Sequence, residues 1–524
     1  MKFFYSKKIT IYNLFIIEFL LLQINECNNI KFKIKTWKFL DKDNINYINE
    51  KSNEEKYFYY DLILNNIYTP ILIGSPPQQI LGFYSGKINE LDIMHNKCFI
   101  NYSKYDRTKS NTFNNISSFN ITHKNYKNGC FAKEDFQFEL YKYNNNNDKN
   151  IVFNQLKFFL PDDSNISKNE NINDINTCAL LGLKLNDKDI FKETPKNFIY
   201  YLIQYNSNQK NENHLNNFYW TIKYNGYSNS EDNEGYFSIG DTPHIYDPDN
   251  YKKENFKEFN IEFSYSSLYW AIQFNEIYLN KSINNINKVD YNLTYLKKYF
   301  EGHKCLFYPE INVIFGTIEY FNTIKNEFFD KFISKRICFE KKIYISEYNS
   351  TLIEGLGGQY VIIYCDKNKV DEYGAETFFN EFPSINFYHR LMNYSFIFNA
   401  HELFYEEAKE NKLYFLICRK NNEVDQWIFG KIFMKKYQVI FNSELRTIGF
   451  YINQNKNSNN NNINNIRNVK VFNNKGIIIA ILSIFFIFLI TFILVIKYKK
   501  KFLTNKKVIV PELEMINKKG VNLI

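Results

Sequence analysis

The stretch IIIAILSIFFIFLITFILVI, Ile477 to Ile496, runs for twenty residues without a charge. As a helix rising ~1.5 Å per residue it matches a hydrocarbon layer ~30 Å thick. A buried helix of a water-soluble core seldom runs this long without one polar face. Lys497, Lys499, Lys500 and Lys501 follow directly. The positive-inside rule therefore predicts a transmembrane helix over 476–496 and a basic cytoplasmic tail over 497–524. Everything upstream must then fold on the lumenal or extracellular side. Export needs a signal, and residues 1–27 offer Lys2, Lys7 and Lys8 ahead of the apolar run Ile11 to Leu22. Asn13 and Glu18 interrupt that run, so the segment reads as a signal peptide or a signal anchor. The expectation is a single-pass membrane protein of the secretory pathway or cell surface.

The chain has 524 residues, enough for a large core. Hydrophobic residues make up 45% and aromatics 19%, with 51 Phe and 42 Tyr, which excludes a disordered chain. The formal charge is +9, yet no stripe of Lys and Arg carries interleaved aromatics, and much of the excess sits at the two ends. Nucleic acid is therefore not an expected partner. Eight cysteines in an exported chain point to disulfides. No C-x-x-C pair or His/Cys cluster has zinc-like spacing, so no metal and no cofactor is expected.

From Tyr57 onward, short alternating runs are separated by turn residues: YYDLIL, PILIG, DFQFELY, FNQLKFFL and GYFSIG, then YWAIQFNEIYL, QYVIIYC, KLYFLIC and QVIFNS. Period-2 alternation over short runs predicts strands, and so an all-β architecture. Phe191–Tyr205 and Glu319–Phe332 are the best helix candidates. Residues 28–56 read as a short basic segment preceding the domain. The Asn- and Lys-rich stretch 454–475 reads as a flexible stalk before the membrane.

Several of these stretches resemble the pepsin-like aspartic peptidases, and among them membrane-anchored members of plasmepsin type. YYDLILNNIYTPILIGSPPQQ is similar to the family's first strands and its I-G-T-P-P-Q turn, with Ser75 for Thr. GYFSIGDTP (235–243) is similar to the strand that closes the first lobe, and LYWAIQFNEIYLN (268–280) to the one that opens the second. WIFGKIFMKKYQVIFNSELRTIGFY (427–451) is close to the family's ending. The resemblance implies a bilobal pepsin-like fold, with an N-terminal lobe over 57–245 and a C-terminal lobe over 246–453. It also implies two catalytic turns, each threaded through a loop anchored by two apolar residues and a glycine. Those anchors stand as Leu180-Leu181-Gly182 and Ile428-Phe429-Gly430.

The turns themselves depart from the family's Asp-Thr-Gly. The first reads Tyr84-Ser85-Gly86 and the second Tyr308-Pro309-Glu310. Tyr84 and Tyr308 are read as standing at the two aspartate positions. The family's chemistry needs two carboxylates about 3 Å apart sharing one proton, one of which draws a proton from the attacking water. A phenol with a pKa near 10 cannot do that work at acidic or neutral pH. Two tyrosine rings at those places are expected to face one another as an aromatic plug. Glu310 is the candidate replacement acid, and Glu90 and Asp92 follow the first turn. In the flap, Asp135 stands where the family carries an aspartate, and Tyr126 is the candidate flap tyrosine. Lys431 replaces the aspartate that usually follows the second glycine anchor. The resemblance also implies a disulfide between Cys365 and Cys418, while Cys98 with Cys130 is one of several open pairings.

The functional expectation is a catalytically inactive, membrane-anchored homologue that binds a peptide or protein segment between its lobes. An active aspartic endopeptidase with an aberrant dyad and a structural or adhesive ectodomain are the alternatives.

Overall fold

Along NIKFKIKTW, Ile30, Phe32 and Ile34 are buried while Lys31, Lys33 and Lys35 are half-buried. Such alternation makes a strand with one wet face, and Asn29–Trp37 is one. It lies inside a large sheet, antiparallel to Glu234–Gly240 on one side and to Asn66–Ile73 on the other. Residues 29–37 thus belong to the sheet. The 29–37 part of the segment read as preceding the domain is a sheet strand, because its period of two outweighs its basic composition.

The computed structural model describes residues 29–38, 54–86, 91–95, 105–116, 129–141, 151–161, 177–185, 198–208, 215, 217–224, 234–261, 269–280, 293–296, 302–345, 358–421 and 426–452. The chain divides into two units, 1–452 and 453–524, and every described residue belongs to the first. The expected signal, stalk, transmembrane helix and tail lie outside the described residues. Among the described residues no helix is long and apolar enough to cross a membrane.

The fold is mostly β-sheet. A thirteen-stranded sheet runs from Phe256–Asn260 through the chain's last strands, Thr447–Tyr451 and Ile440–Asn442, to Tyr219–Tyr224. It continues through the strands at 234–240, 29–37 and 66–73 to Gln78–Ser85, Thr177–Gly182 and Leu91–His95, and ends with three more strands from the first half. A nine-stranded sheet is built from the second half, beginning Ala271–Phe274, His303–Phe307, Trp427–Phe429, Ile314–Phe315, Ile417–Lys420. A four-stranded sheet comprises Leu293–Leu296, Glu276–Asn280, Ser384–His389 and Tyr394–Phe398.

Helices form at Phe198–Asn208 and in three successive pieces from Ile318 to Ser334, close to the two places the sequence favours. One expected strand is a helix. Glu54–Ile63 takes in most of YYDLIL, and Tyr57, Phe58, Tyr59, Tyr60, Leu62 and Ile63 are all buried. A run that is apolar on every side carries no period, so a strand and a buried helix read alike in sequence.

The disulfide also differs from expectation. Cys338 bonds Cys365, its direct partner across the antiparallel ladder of Cys338–Ile345 with Gly358–Asp366. On the other side of that strand Val361 pairs with Arg419. Cys418 therefore lies about three residues, ~10 Å, along the strand from Cys365, outside disulfide reach.

Candidate functional site

The two turns are built by the same strand arrangement used twice. In the first half the 78–85 strand runs parallel to 177–182, with Phe83 opposite Leu180, Tyr84 opposite Leu181 and Ser85 opposite Gly182. The 91–95 strand returns antiparallel on the other side, placing Leu91 opposite Leu181. In the second half the 303–307 strand runs parallel to 427–429, with Leu306 opposite Ile428 and Phe307 opposite Phe429. The 314–315 strand returns antiparallel, placing Ile314 opposite Phe429. The outer neighbours repeat as well: Tyr68 pairs Phe83 where Ala271 pairs Leu306.

This register corrects the reading of the first turn. Leu181 and Phe429 are equivalent, so Tyr84 corresponds to Phe307, and Ser85 corresponds to Tyr308. Leu91 and Ile314 then each stand six residues beyond, as the repeat requires. The two equivalent turn positions hold a serine and a tyrosine, not two tyrosines. A one-residue offset along a strand reverses the face a side chain occupies, and the rings behave accordingly. Tyr84 packs on Phe237, ring centroids 4.5 Å apart. Tyr308 meets Tyr269 edge-on at 6.1 Å and lies in a separate apolar cluster. The expected facing pair does not form. Burial drives the Tyr84 phenol well above its ordinary range, with the Thr69 hydroxyl opposing that rise.

The turns nevertheless meet. The Gly86 backbone N–H donates to Glu310 Oε2 at 3.2 Å, joining residues 224 apart in sequence. A Cβ on Gly86 would stand 3.2 Å from that oxygen, 3.3 Å from Pro309 Cδ and 3.4 Å from the Tyr308 ring. Glu310 is buried, and its backbone carbonyl accepts the Asn65 N–H at 2.8 Å. The Asn65 amide donates to the Pro309 carbonyl at 2.8 Å and to the Tyr224 hydroxyl at 2.9 Å. Tyr224 is raised by burial and by the Glu310 charge, against the Asn65 hydrogen bond. Lys431 Nζ lies over the Tyr224 ring, 5.1 Å from its centroid.

The same turn closes the helix at 54–63. A helix leaves its last carbonyls without internal donors. Here the Asn312 side chain donates to Asp61 O at 2.6 Å and Leu64 O at 2.7 Å, and its backbone N–H to Ile63 O at 2.8 Å. The aromatic face of the helix packs in one cluster with Leu81, Phe83, Leu306 and Tyr308 from the strands leading into both turns.

Backbone hydrogen bonds tie each glycine's neighbour to the chain around its turn. Leu183 N–H donates to Ser85 O at 2.8 Å just after Gly182, and Lys431 N–H to Ile311 O at 2.6 Å just after Gly430. Trp270 Nε1–H donates to Leu183 O at 2.7 Å, tying the second half to the first anchor. Asp135 does not reach the junction. Its carboxylate accepts the Gln155 backbone N–H at 2.8 Å, and its carbonyl accepts Gly74 N–H at 2.9 Å. Asp92 has Leu180 and Phe159 as its strand partners. Glu90, Tyr126 and Cys98 lie outside the described residues. Asn65, Asn312 and Tyr224 escape sequence reading because isolated Asn and Tyr in so Asn- and Tyr-rich a chain carry no pattern.

Removing the Glu310 carboxylate should cost stability without any catalytic readout. Glu310→Leu leaves the buried Gly86 N–H without this acceptor and should lose about 1–3 kcal/mol, whereas Glu310→Gln keeps a carbonyl acceptor and should lose less. Urea unfolding of both variants measures the difference. Equal losses would mean the charge matters and the Gly86 bond does not.

No protein-family model matches the chain, and no curated protein matches it.

Proposed function

We propose that this chain is a membrane-anchored, catalytically inactive relative of the pepsin-like aspartic peptidases, bilobal in architecture, that serves as a peptide- or protein-binding scaffold. The observation that carries the reading is the register of the repeat. Ser85 pairs opposite Gly182, and Tyr308 directly follows the Phe307–Phe429 pair at the equivalent place; neither is a carboxylate. Hydrolysis by the family's route needs an ionised and a protonated acid sharing one proton, and a hydroxyl with a pKa near or above 10 cannot replace the ionised one. Glu310 supplies a single carboxylate, and its Oε2 is engaged by a backbone amide of the opposite turn.

Glu310 is also the one observation favouring the second reading, an aspartic endopeptidase working through a non-standard acid. A single experiment separates them. The full chain in detergent is incubated with a peptide library between pH 4 and pH 7, with and without a pepstatin-type inhibitor. No inhibitor-sensitive cleavage is expected. Cleavage that the inhibitor blocks and Glu310→Gln abolishes would overturn the proposal, while bound peptides recovered uncut would support the scaffold. Absence of both cleavage and binding would leave a structural or adhesive ectodomain.

A further inference from the structure

The strands Ser384–His389 and Tyr394–Phe398 form a hairpin, with His389 paired to Tyr394 at its closed end. Four hydrogen bonds hold the turn between them. Asn393 N–H donates to Arg390 O at 3.0 Å, Arg390 N–H to Asn275 Oδ1 at 2.6 Å, Tyr388 O–H to Asn393 Oδ1 at 3.2 Å, and Met392 N–H to His389 Nδ1 at 3.3 Å. Asn393 itself sits at φ +48°, a conformation asparagine tolerates better than most residues but which still needs holding. The tip carries Leu391, 82% exposed, the most exposed large apolar side chain among the described residues.

Only one of these four bonds depends on a group that titrates near neutral pH. The His389 ring is 6% exposed, packed against Phe259 at 5.0 Å and Phe274 at 6.0 Å between ring centroids. Accepting Met392 N–H at Nδ1 places the ring's single proton on Nε2. A second proton would go to Nδ1. It would turn that acceptor into a donor aimed at another N–H, and put a cation between two phenylalanines.

We propose that His389 is a pH-sensitive latch on the Arg390–Asn393 turn, closed while the ring is neutral and released when the ring becomes an imidazolium. The charged and titratable groups on the elements around it do not offset this. Glu258, next to Phe259, is engaged by the Tyr219 and Thr447 hydroxyls. Glu276 pairs opposite Tyr388, Tyr394 is an uncharged phenol, and Arg390 in the turn adds positive charge. Burial lowers His389 from its ordinary 6.5 to about 4. A folded value below the unfolded one means the latch is complete above pH 6.5 and is lost as pH falls from there toward 4. In neutral surroundings Leu391 is displayed on a fixed turn; in acid the same residue sits on an open one, so a partner reading this tip would distinguish the two.

Hydrogen exchange of the full chain in detergent, corrected for intrinsic rates, tests this. Protection of a peptide covering 389–394 should fall at least about tenfold between pH 7 and pH 4.5, while the rest of the four-stranded sheet holds. His389→Phe, which keeps a ring but neither acceptor nor proton, should show low protection at both pH values. His389→Asn, which keeps an acceptor and does not titrate, should stay protected at both. A flat wild-type profile would overturn the latch, as would a His389→Phe profile with the wild-type step. The wild-type profile decides alone if neither variant folds.

Discussion

Gly430→Ala is expected to prevent this chain from reaching a stable fold. An added Cβ would stand 2.2 Å from Ile311 O, 2.6 Å from Ile311 C and 2.6 Å from Val313 O. All three are backbone atoms, so no rotamer change relieves the contact. The turn that would have to move also donates through Asn312 to the Glu54–Ile63 helix and anchors Lys431 N–H. It carries Glu310, whose carboxylate joins the two turns. One methyl group thus acts on four connections, and a loss of about 4 kcal/mol or more follows, at the extreme of single-substitution effects. Little folded monomer should be recovered. A soluble Gly430→Ala chain with the wild-type urea midpoint would show that the 311–313 turn yields freely, and would remove the reason for a glycine there.

The second large effect is expected at the disulfide. Cys338 and Cys365 close a loop with a sequence separation of 27. In the chain-entropy account such a crosslink stabilises by about 3.5 kcal/mol. The Cys338→Ala/Cys365→Ala double variant should lose roughly that amount. Cys418→Ala, which removes a buried thiol and leaves the bond intact, should lose about 1–2 kcal/mol by cavity formation alone. Had Cys365 bonded Cys418, Cys418→Ala would break a disulfide and cost several kcal/mol. Peptide mapping without reduction should recover Cys338 and Cys365 in one fragment; a Cys365–Cys418 fragment would contradict the ladder register.

Much of this architecture is legible in the sequence for a specific reason. Strands with one wet face, such as 129–138, announce themselves through a period of two, and runs such as 358–366 through the turn residues that bound them. The turn positions were legible only to within one residue. Tyr84 lies next to Ser85, and sequence offers no means of choosing between them. The choice is made by which residue pairs with Gly182, a contact between segments nearly a hundred positions apart. The Cys338–Cys365 bond was missed for the same reason, because cysteine spacing does not encode which strand edges meet. The helix at 54–63 is not legible because its aromatic run is buried on every side, so its pattern holds no contrast.

The sheet order has a consequence for how the chain is made. The 219–224 strand takes its outer partner from residues 440–442, and Thr221 Oγ1 donates to Val439 O across 218 residues. At roughly 5–20 residues per second of synthesis, that partner emerges on the order of 10–40 s later. During that interval the first half presents an open strand edge to whatever surrounds the ribosome's exit. Such an edge invites pairing with other chains, so nascent forms of this protein should call on a chaperone until the final strands arrive and complete the sheet.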